Sequence, residues 1–166
     1  CSLGRTAWSD AIALAAIRLI APALPAVFHH SRAPDADALM AGSHMAGIAL
    51  AAARLGVVHG LAHPLGALYG VPHGQVCALC LPPALELNRT AIGPRFQELE
   101  EALGHPPIPY LEGLLAVLRI ANPFRGRPLS NRSVILAQTL ASGSTASNPK
   151  PITAEDVAFL LDRLFA

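Results

Sequence analysis

The sequence is poor in charged residues, aromatic residues and cysteine. Charged residues make up 14% of the 166 residues and aromatic residues 5%, whereas hydrophobic residues make up 52%. The basic side chains are eleven arginines and the single Lys150, and they are scattered along the chain, so no basic stripe indicates a nucleic-acid partner. Cys1, Cys77 and Cys80 are too few for a disulfide scaffold, which favours a reducing, cytoplasmic location.

Strand signals are also scarce, since the sequence has no sustained apolar-polar alternation and no Asn-Gly or Asp-Gly hairpin turn. Instead, 31 Ala and 26 Leu make up about a third of the chain, and apolar residues recur at helical spacing. We therefore expect one all-α domain, a helical bundle over residues 1–166, whose first helix ends before Pro22 and Pro25. Helices are predicted over residues 6–20, 34–54, 56–69, 73–88, 94–103, 110–120, 130–140 and 154–164.

Residues 55–85 contain no Asp, Glu, Lys or Arg. Prolines and glycines interrupt this stretch, so it lacks the roughly 20 uninterrupted apolar residues of a membrane span, and we expect no membrane partner. A buried central pair of helices is the better interpretation. The main polar groups that would enter such a core are His59, His63 and His73, and buried polar groups need partners.

The three histidines have a spacing that suits a metal site. His59 and His63 lie four residues apart and project from one helix face, while His73 opens the next predicted helix and can fold back towards them. Imidazoles that converge in an apolar pocket can hold Zn²⁺ or Fe²⁺, although no carboxylate lies nearby in sequence. Alternatively, each histidine caps a helix or bonds a backbone carbonyl. Spacing alone leaves both interpretations open.

Several other residues are expected to be structural. The CxxC of Cys77 and Cys80 has no second CxxC, so these are interpreted as small core residues rather than as a zinc or redox site. Asn88 is expected to cap a helix end, and residues 142–150 to form a polar structural loop.

The stretch HGLAHPLGALYGVPHG at 59–74 resembles the histidine-rich signature of the iron-containing alcohol dehydrogenases. The similarity continues in CSLGRTAWSDAIALAAIRLI at 1–20, LPPALELNR at 81–89 and GSTASNPKPITAEDVAFLL at 143–161. This resemblance implies the C-terminal helical domain of an oxidoreductase that transfers hydride between a small alcohol or aldehyde and NAD(P), with Fe²⁺ or Zn²⁺ as the metal. It also implies that His59 and His73 are metal ligands and that His63 is a catalytic residue beside substrate and nicotinamide. The same resemblance implies a small dry pocket at the interface between the domains, with an apolar wall that includes Leu61, Leu65, Leu68 and Val71. Helical spacing alone would instead pair His59 with His63.

Part of the family pattern is absent from this sequence. The family's other two metal ligands belong to an Asp-Ala-x-x-His motif, and no Asp-x-x-x-His occurs in this sequence. The sequence also has no GxGxxG loop after a strand, so no cofactor-binding residues are assigned. The resemblance therefore implies that an N-terminal α/β nucleotide-binding domain is the missing partner. We expect the chain alone to bind metal weakly and to be inactive, and its uncovered helix faces to favour a homo-oligomer. The alternatives are a free-standing non-catalytic helical module and a small metal-binding protein that uses the three histidines itself.

Overall fold

The computed structural model describes residues 2–30 and 32–166, and all regular structure in these ranges is helical. The all-α prediction is therefore confirmed. Helices occur within them at α1 (Ala7–His30), α2 (Ala33–Ala53), α3 (Val57–Tyr69), α4 (His73–Ile92), α5 (Arg95–Leu103), α6 (Pro107–Val117), α7 (Arg132–Ala141), α8 (Gly143–Ala146) and α9 (Ala154–Phe165).

The charge-free segment forms the centre of the fold, as predicted. α3 and α4 pack against each other, and α6, α7, α8 and α9 surround them. Their buried side chains, with those of α9 and the loop residue Phe124, form one apolar cluster. Apolar packing in this cluster helps to hold α3 against α4.

α1 and α2 form a separate hairpin at one side of this core. α1 packs along α2 and touches α5. Both helices are long and apolar enough to cross a membrane by length and composition alone, with 17% and 11% of the respective apolar windows buried. For one or two helices near the N-terminus, length and composition are weak evidence of a membrane span.

The prediction that the first helix ends before Pro22 and Pro25 is wrong, because α1 continues through both prolines to His30. Pro25 has no N–H to offer the carbonyl of Ala21 four residues earlier. The hydroxyl of Tyr110, on α6, donates a hydrogen bond to that carbonyl at 2.8 Å. A tyrosine hydroxyl is protonated at neutral pH and can donate, and burial raises the pKa of the Tyr110 phenol further above that range. A side chain from another helix thus replaces the lost backbone bond.

Replacing Tyr110 by phenylalanine should destabilise the protein by about 1–2 kcal/mol, because the Ala21 carbonyl is buried and would lose its donor. Urea denaturation of the two proteins measures this difference. In a Pro25→Ala background the restored N–H can bond Ala21, so the same substitution should cost clearly less there. Equal costs in the two backgrounds would contradict this account of the helix.

The last helix begins as the sequence predicts. The side chain of Thr153 accepts a hydrogen bond from the N–H of Asp156, and the Asp156 carboxylate accepts one from the N–H of Thr153. This reciprocal capping box satisfies two of the free donors at the start of α9. Burial by itself raises the pKa of the Asp156 carboxyl, but hydrogen bonds from Lys150 and Thr153 outweigh it and hold the pKa below its ordinary value.

Candidate metal centre

The structure brings the three predicted histidines of α3 and the start of α4 together. α3 ends at Gly70, whose left-handed backbone (φ 66°) turns the chain back so that α4 begins at His73. The ring centroids of His59 and His73 lie 5.3 Å apart, and those of His63 and His73 lie 5.2 Å apart with the rings nearly perpendicular. His59 is half-buried, whereas the other two rings are exposed.

Cys77 also belongs to this cluster. Its Sγ lies 3.4 Å from Nε2 of His73, one helical turn earlier on α4. One potential ligand atom from each of His59, His73 and Cys77 lies within 4.8 Å of the other two. His63 contacts His73 from the side but stands outside this group of three.

The interpretation of the CxxC as a pair of core residues therefore fits Cys80 better than Cys77. Cys80 is 1% exposed and packs in the core, whereas Cys77 lies at the core's edge and faces the histidines. The signal that could have identified Cys77 is its spacing of four from His73, which places both side chains on one face of α4.

Burial favours the uncharged forms of His59 and Cys77. Burial lowers the pKa of His59, and the neighbouring His73 and His63 lower it further. Burial also raises the pKa of the Cys77 thiol. At neutral pH, His59 therefore presents the uncharged imidazole that metal ions require. Imidazole nitrogen and thiol sulfur are donors that suit Zn²⁺ and Fe²⁺, so the residues fit a transition-metal ion.

Two cavities border the cluster. An open cavity of about 600 Å³ lies beside His63 and His73, and Gln138 and Ser142 also line it. A mainly apolar cavity of about 250 Å³ lies beside His59. Of the four residues expected to wall the pocket, Val71 lines the larger cavity. Leu61 and Leu65 are instead fully buried in the core, and Leu68 is 44% exposed, because its part of α3 faces outward.

A buried pair of asparagine side chains anchors the start of α3. The Oδ1 atom of Asn148 accepts a hydrogen bond from the backbone N–H of Val57, two residues before His59. Its Nδ2 atom donates to Oδ1 of Asn88 at 2.6 Å and to the carbonyl of Lys150 at 2.8 Å. The expectation that Asn88 caps a helix end is wrong, since it lies inside α4 and donates to the carbonyl of Ala84.

Replacing Asn148 by alanine should lower the free energy of unfolding by about 2–3 kcal/mol. The substitution leaves the N–H of Val57 and the buried amide of Asn88 without this partner, and each such loss costs about 1–3 kcal/mol. Guanidinium denaturation measures the change, with the exposed Gln97→Ala as the control expected to stay within about 0.5 kcal/mol of the parent. Equal stabilities of the two variants would show that this hydrogen-bond network does not anchor α3.

Comparison with known proteins matches this chain to a described family. Residues 1–165 match a family model described as "Fe-containing alcohol dehydrogenase family, C-terminal". The chain is 38% identical over 105 residues to lactaldehyde reductase of Escherichia coli K12, an alignment that covers 60% of this chain and 26% of that protein. It is 30% identical over 172 residues to 1,3-propanediol dehydrogenase of Klebsiella pneumoniae, covering 95% of this chain and 44% of that protein.

Solved structures agree with the fold. An alcohol dehydrogenase from Oenococcus oeni superposes with a TM-score of 0.87 at 27% identity, covering 99% of this chain and 47% of that one. A 1,3-propanediol oxidoreductase superposes with a TM-score of 0.82 at 29% identity, again over 99% of this chain and 47% of the other. The chain thus spans less than half the length of each of these relatives.

Proposed function

The chain belongs to the Fe-containing alcohol dehydrogenase family, and from this premise we propose that it is the metal-binding domain of an NAD(P)-linked alcohol dehydrogenase or aldehyde reductase. The observation that carries the proposal is the approach of His59 and His73, whose ring centroids are 5.3 Å apart although they come from different helices. If these two imidazoles only capped helix ends, we would not expect their rings to lie this close together.

In this proposal His59 and His73 hold the ion, which is Fe²⁺ or, by the donor chemistry, Zn²⁺. When bound, the metal supplies Lewis acidity to the alcohol or carbonyl oxygen, and the nicotinamide supplies or accepts the hydride. The half-buried His59 keeps its lone pair because its pKa is lowered. The turn at Gly70 fixes His73 against it, so the two rings need little rearrangement to share an ion.

His63 is proposed to move the proton that accompanies hydride transfer. Its ring is exposed and lines the larger cavity, so it can exchange protons with both solvent and a molecule bound there. Its contact with His73 orients the ring, since the two rings meet edge to face. Val71 and Gly66 line the same cavity and would give it an apolar side for a small alcohol or aldehyde.

The remaining parts of the reaction are proposed to come from a partner. A nucleotide-binding domain, on the same polypeptide or another, would bring NAD(P) and further ligands to the exposed side of the cluster. We further propose a cytoplasmic homo-oligomer without nucleic-acid or membrane partners. Exposed apolar side chains such as Met40, at 74% exposure, and Trp8, at 59%, support an association of subunits.

Activity measurements on the purified chain test this proposal. The 166 residues alone, supplied with Fe²⁺ or Zn²⁺, NAD⁺ or NADP⁺ and short alcohols, should form no reduced nicotinamide. Co-expression with the part of the Klebsiella 1,3-propanediol dehydrogenase that precedes its matching region should yield activity. This activity should be lost with His73→Ala and retained with the exposed control His44→Ala. Turnover by the chain alone would overturn the proposed need for a nucleotide-binding partner. Turnover that survives His73→Ala would overturn the proposed role of His73 in holding the metal.

A further inference from the structure

The cluster holds a third donor that the proposed function does not use. The Sγ atom of Cys77 lies 3.4 Å from Nε2 of His73, and ligand atoms of His59, His73 and Cys77 all lie within 4.8 Å of one another. The thiol is half-buried at the edge of the core, where the lining side chains are apolar.

The separation of the nitrogen and sulfur atoms matches that of two ligands on one tetrahedral ion. With Zn–N bonds of about 2.05 Å and Zn–S bonds of about 2.3 Å, a tetrahedral angle puts nitrogen and sulfur about 3.6 Å apart. The observed distance of 3.4 Å is about 0.2 Å shorter than this value, and a small rotation of either side chain would remove the difference. Because both residues lie on the first two turns of α4, the helix itself preserves this spacing.

The charge of the site favours the same arrangement. Two neutral imidazoles leave a divalent cation uncompensated, and residues 55–85 contain no carboxylate. A thiolate supplies a negative charge directly at the ion. Thiolate is also a soft donor that favours Zn²⁺ over Fe²⁺, whereas two imidazoles alone discriminate little between them.

We propose that Cys77 is a third metal ligand of this chain, which gives the site a His₂Cys donor set with a preference for zinc-like ions. The proposal rests on the site of the proposed function and adds a ligand to it. On binding, the S–H bond of Cys77 is replaced by a bond from sulfur to the metal, and the proton leaves to solvent. The oxidation state of the metal and sulfur does not change. His59 and His73 bind as neutral imidazoles, and water or a partner's group completes the shell.

Cobalt(II) is the probe, because a thiolate ligand gives a near-ultraviolet charge-transfer band that imidazole ligands do not give. Titration of the purified chain with Co²⁺ should develop this band together with visible ligand-field bands. The Cys77→Ser variant should lose the charge-transfer band and bind Zn²⁺ on the order of a hundredfold more weakly in competition with a chelator. Cys80→Ala removes the neighbouring buried thiol and should leave the band in place. Circular dichroism establishes that each variant is folded.

Each outcome bears on one of the two proposals. Visible bands without a charge-transfer band, or a charge-transfer band that persists in Cys77→Ser, would overturn Cys77 as a ligand and leave the histidine site standing. Failure of the wild-type chain to bind Co²⁺ would also overturn it, since two imidazoles alone are expected to bind weakly. Binding that survives His59→Ala and His73→Ala together would overturn the proposed function instead.

Discussion

Replacing His73 by alanine is expected to lower the affinity of the chain for Zn²⁺ or Co²⁺ by on the order of a hundredfold. Four-ligand zinc sites bind with about 10–16 kcal/mol, so each ligand contributes roughly 3 kcal/mol, or about two powers of ten. His73 occupies the centre of the cluster, since its ring contacts both His59 and His63 and its Nε2 atom lies beside Cys77. Isothermal titration with Zn²⁺ measures the change.

The matched control is His105→Ala, which removes an exposed imidazole that stacks on Tyr110 far from the cluster along the chain. It should leave metal affinity unchanged within twofold. His59→Ala should behave as His73→Ala does, while His63→Ala should have a smaller effect because its ring lies outside the group of three. If His63→Ala proved as damaging as His73→Ala, His63 would be a metal ligand as well, as helical spacing alone suggests.

The amino-acid sequence predicts this fold well where local signals agree. Helical periodicity and the glycines beside the turn give α3 to within one residue and give the start of α4, whereas α4 continues to Ile92, beyond its predicted end at residue 88. The absence of charge in residues 55–85 identifies the two helices as part of the core. The break expected at Pro22 and Pro25 fails for a non-local reason. The donor that replaces the missing N–H belongs to Tyr110, 89 residues away from Ala21, and no local pattern contains it.

The candidate site also has some features that the sequence could predict and others that it could not. The convergence of His59, His63 and His73 follows from a spacing of four and one short turn, so sequence reasoning could reach it. Cys77 shares a helix face with His73, and the same rule applied to cysteine would have found it. The anchoring role of Asn148 could not be found this way, because its partner Val57 is 91 residues away. Such contacts depend on how distant helices pack, which periodicity does not encode.

Gly60 is the residue of α3 where a single added carbon should do the most structural damage. It lies directly after His59, where α3 packs against the short α8. A Cβ built on Gly60 would stand 2.0 Å from Oγ1 of Thr145 and 3.3 Å from its Cβ. Thr145 is 6% exposed and β-branched, so it has little freedom to turn away. The two helices must separate, or one must shift along the other.

Gly60→Ala should therefore destabilise the protein by about 3 kcal/mol, at the upper end of the range for overpacked cores. It should also weaken metal binding, because His59 and His63 move with the helix that carries them. Thermal and urea denaturation measure the first effect, and Zn²⁺ titration measures the second.

The double variant Gly60→Ala/Thr145→Ala identifies the cause. Removing the Thr145 side chain beyond Cβ relieves the 2.0 Å contact and leaves the 3.3 Å one, so most of the lost stability should return. Oγ1 of Thr145 is buried and has no hydrogen-bond partner among the described residues, so its removal sacrifices no polar contact there. Thr145→Val keeps both γ positions filled and should give no rescue. If Val rescued as well as Ala, the regained stability would come from removing the unpartnered hydroxyl of Thr145 rather than from relieving the close approach of α3 to α8.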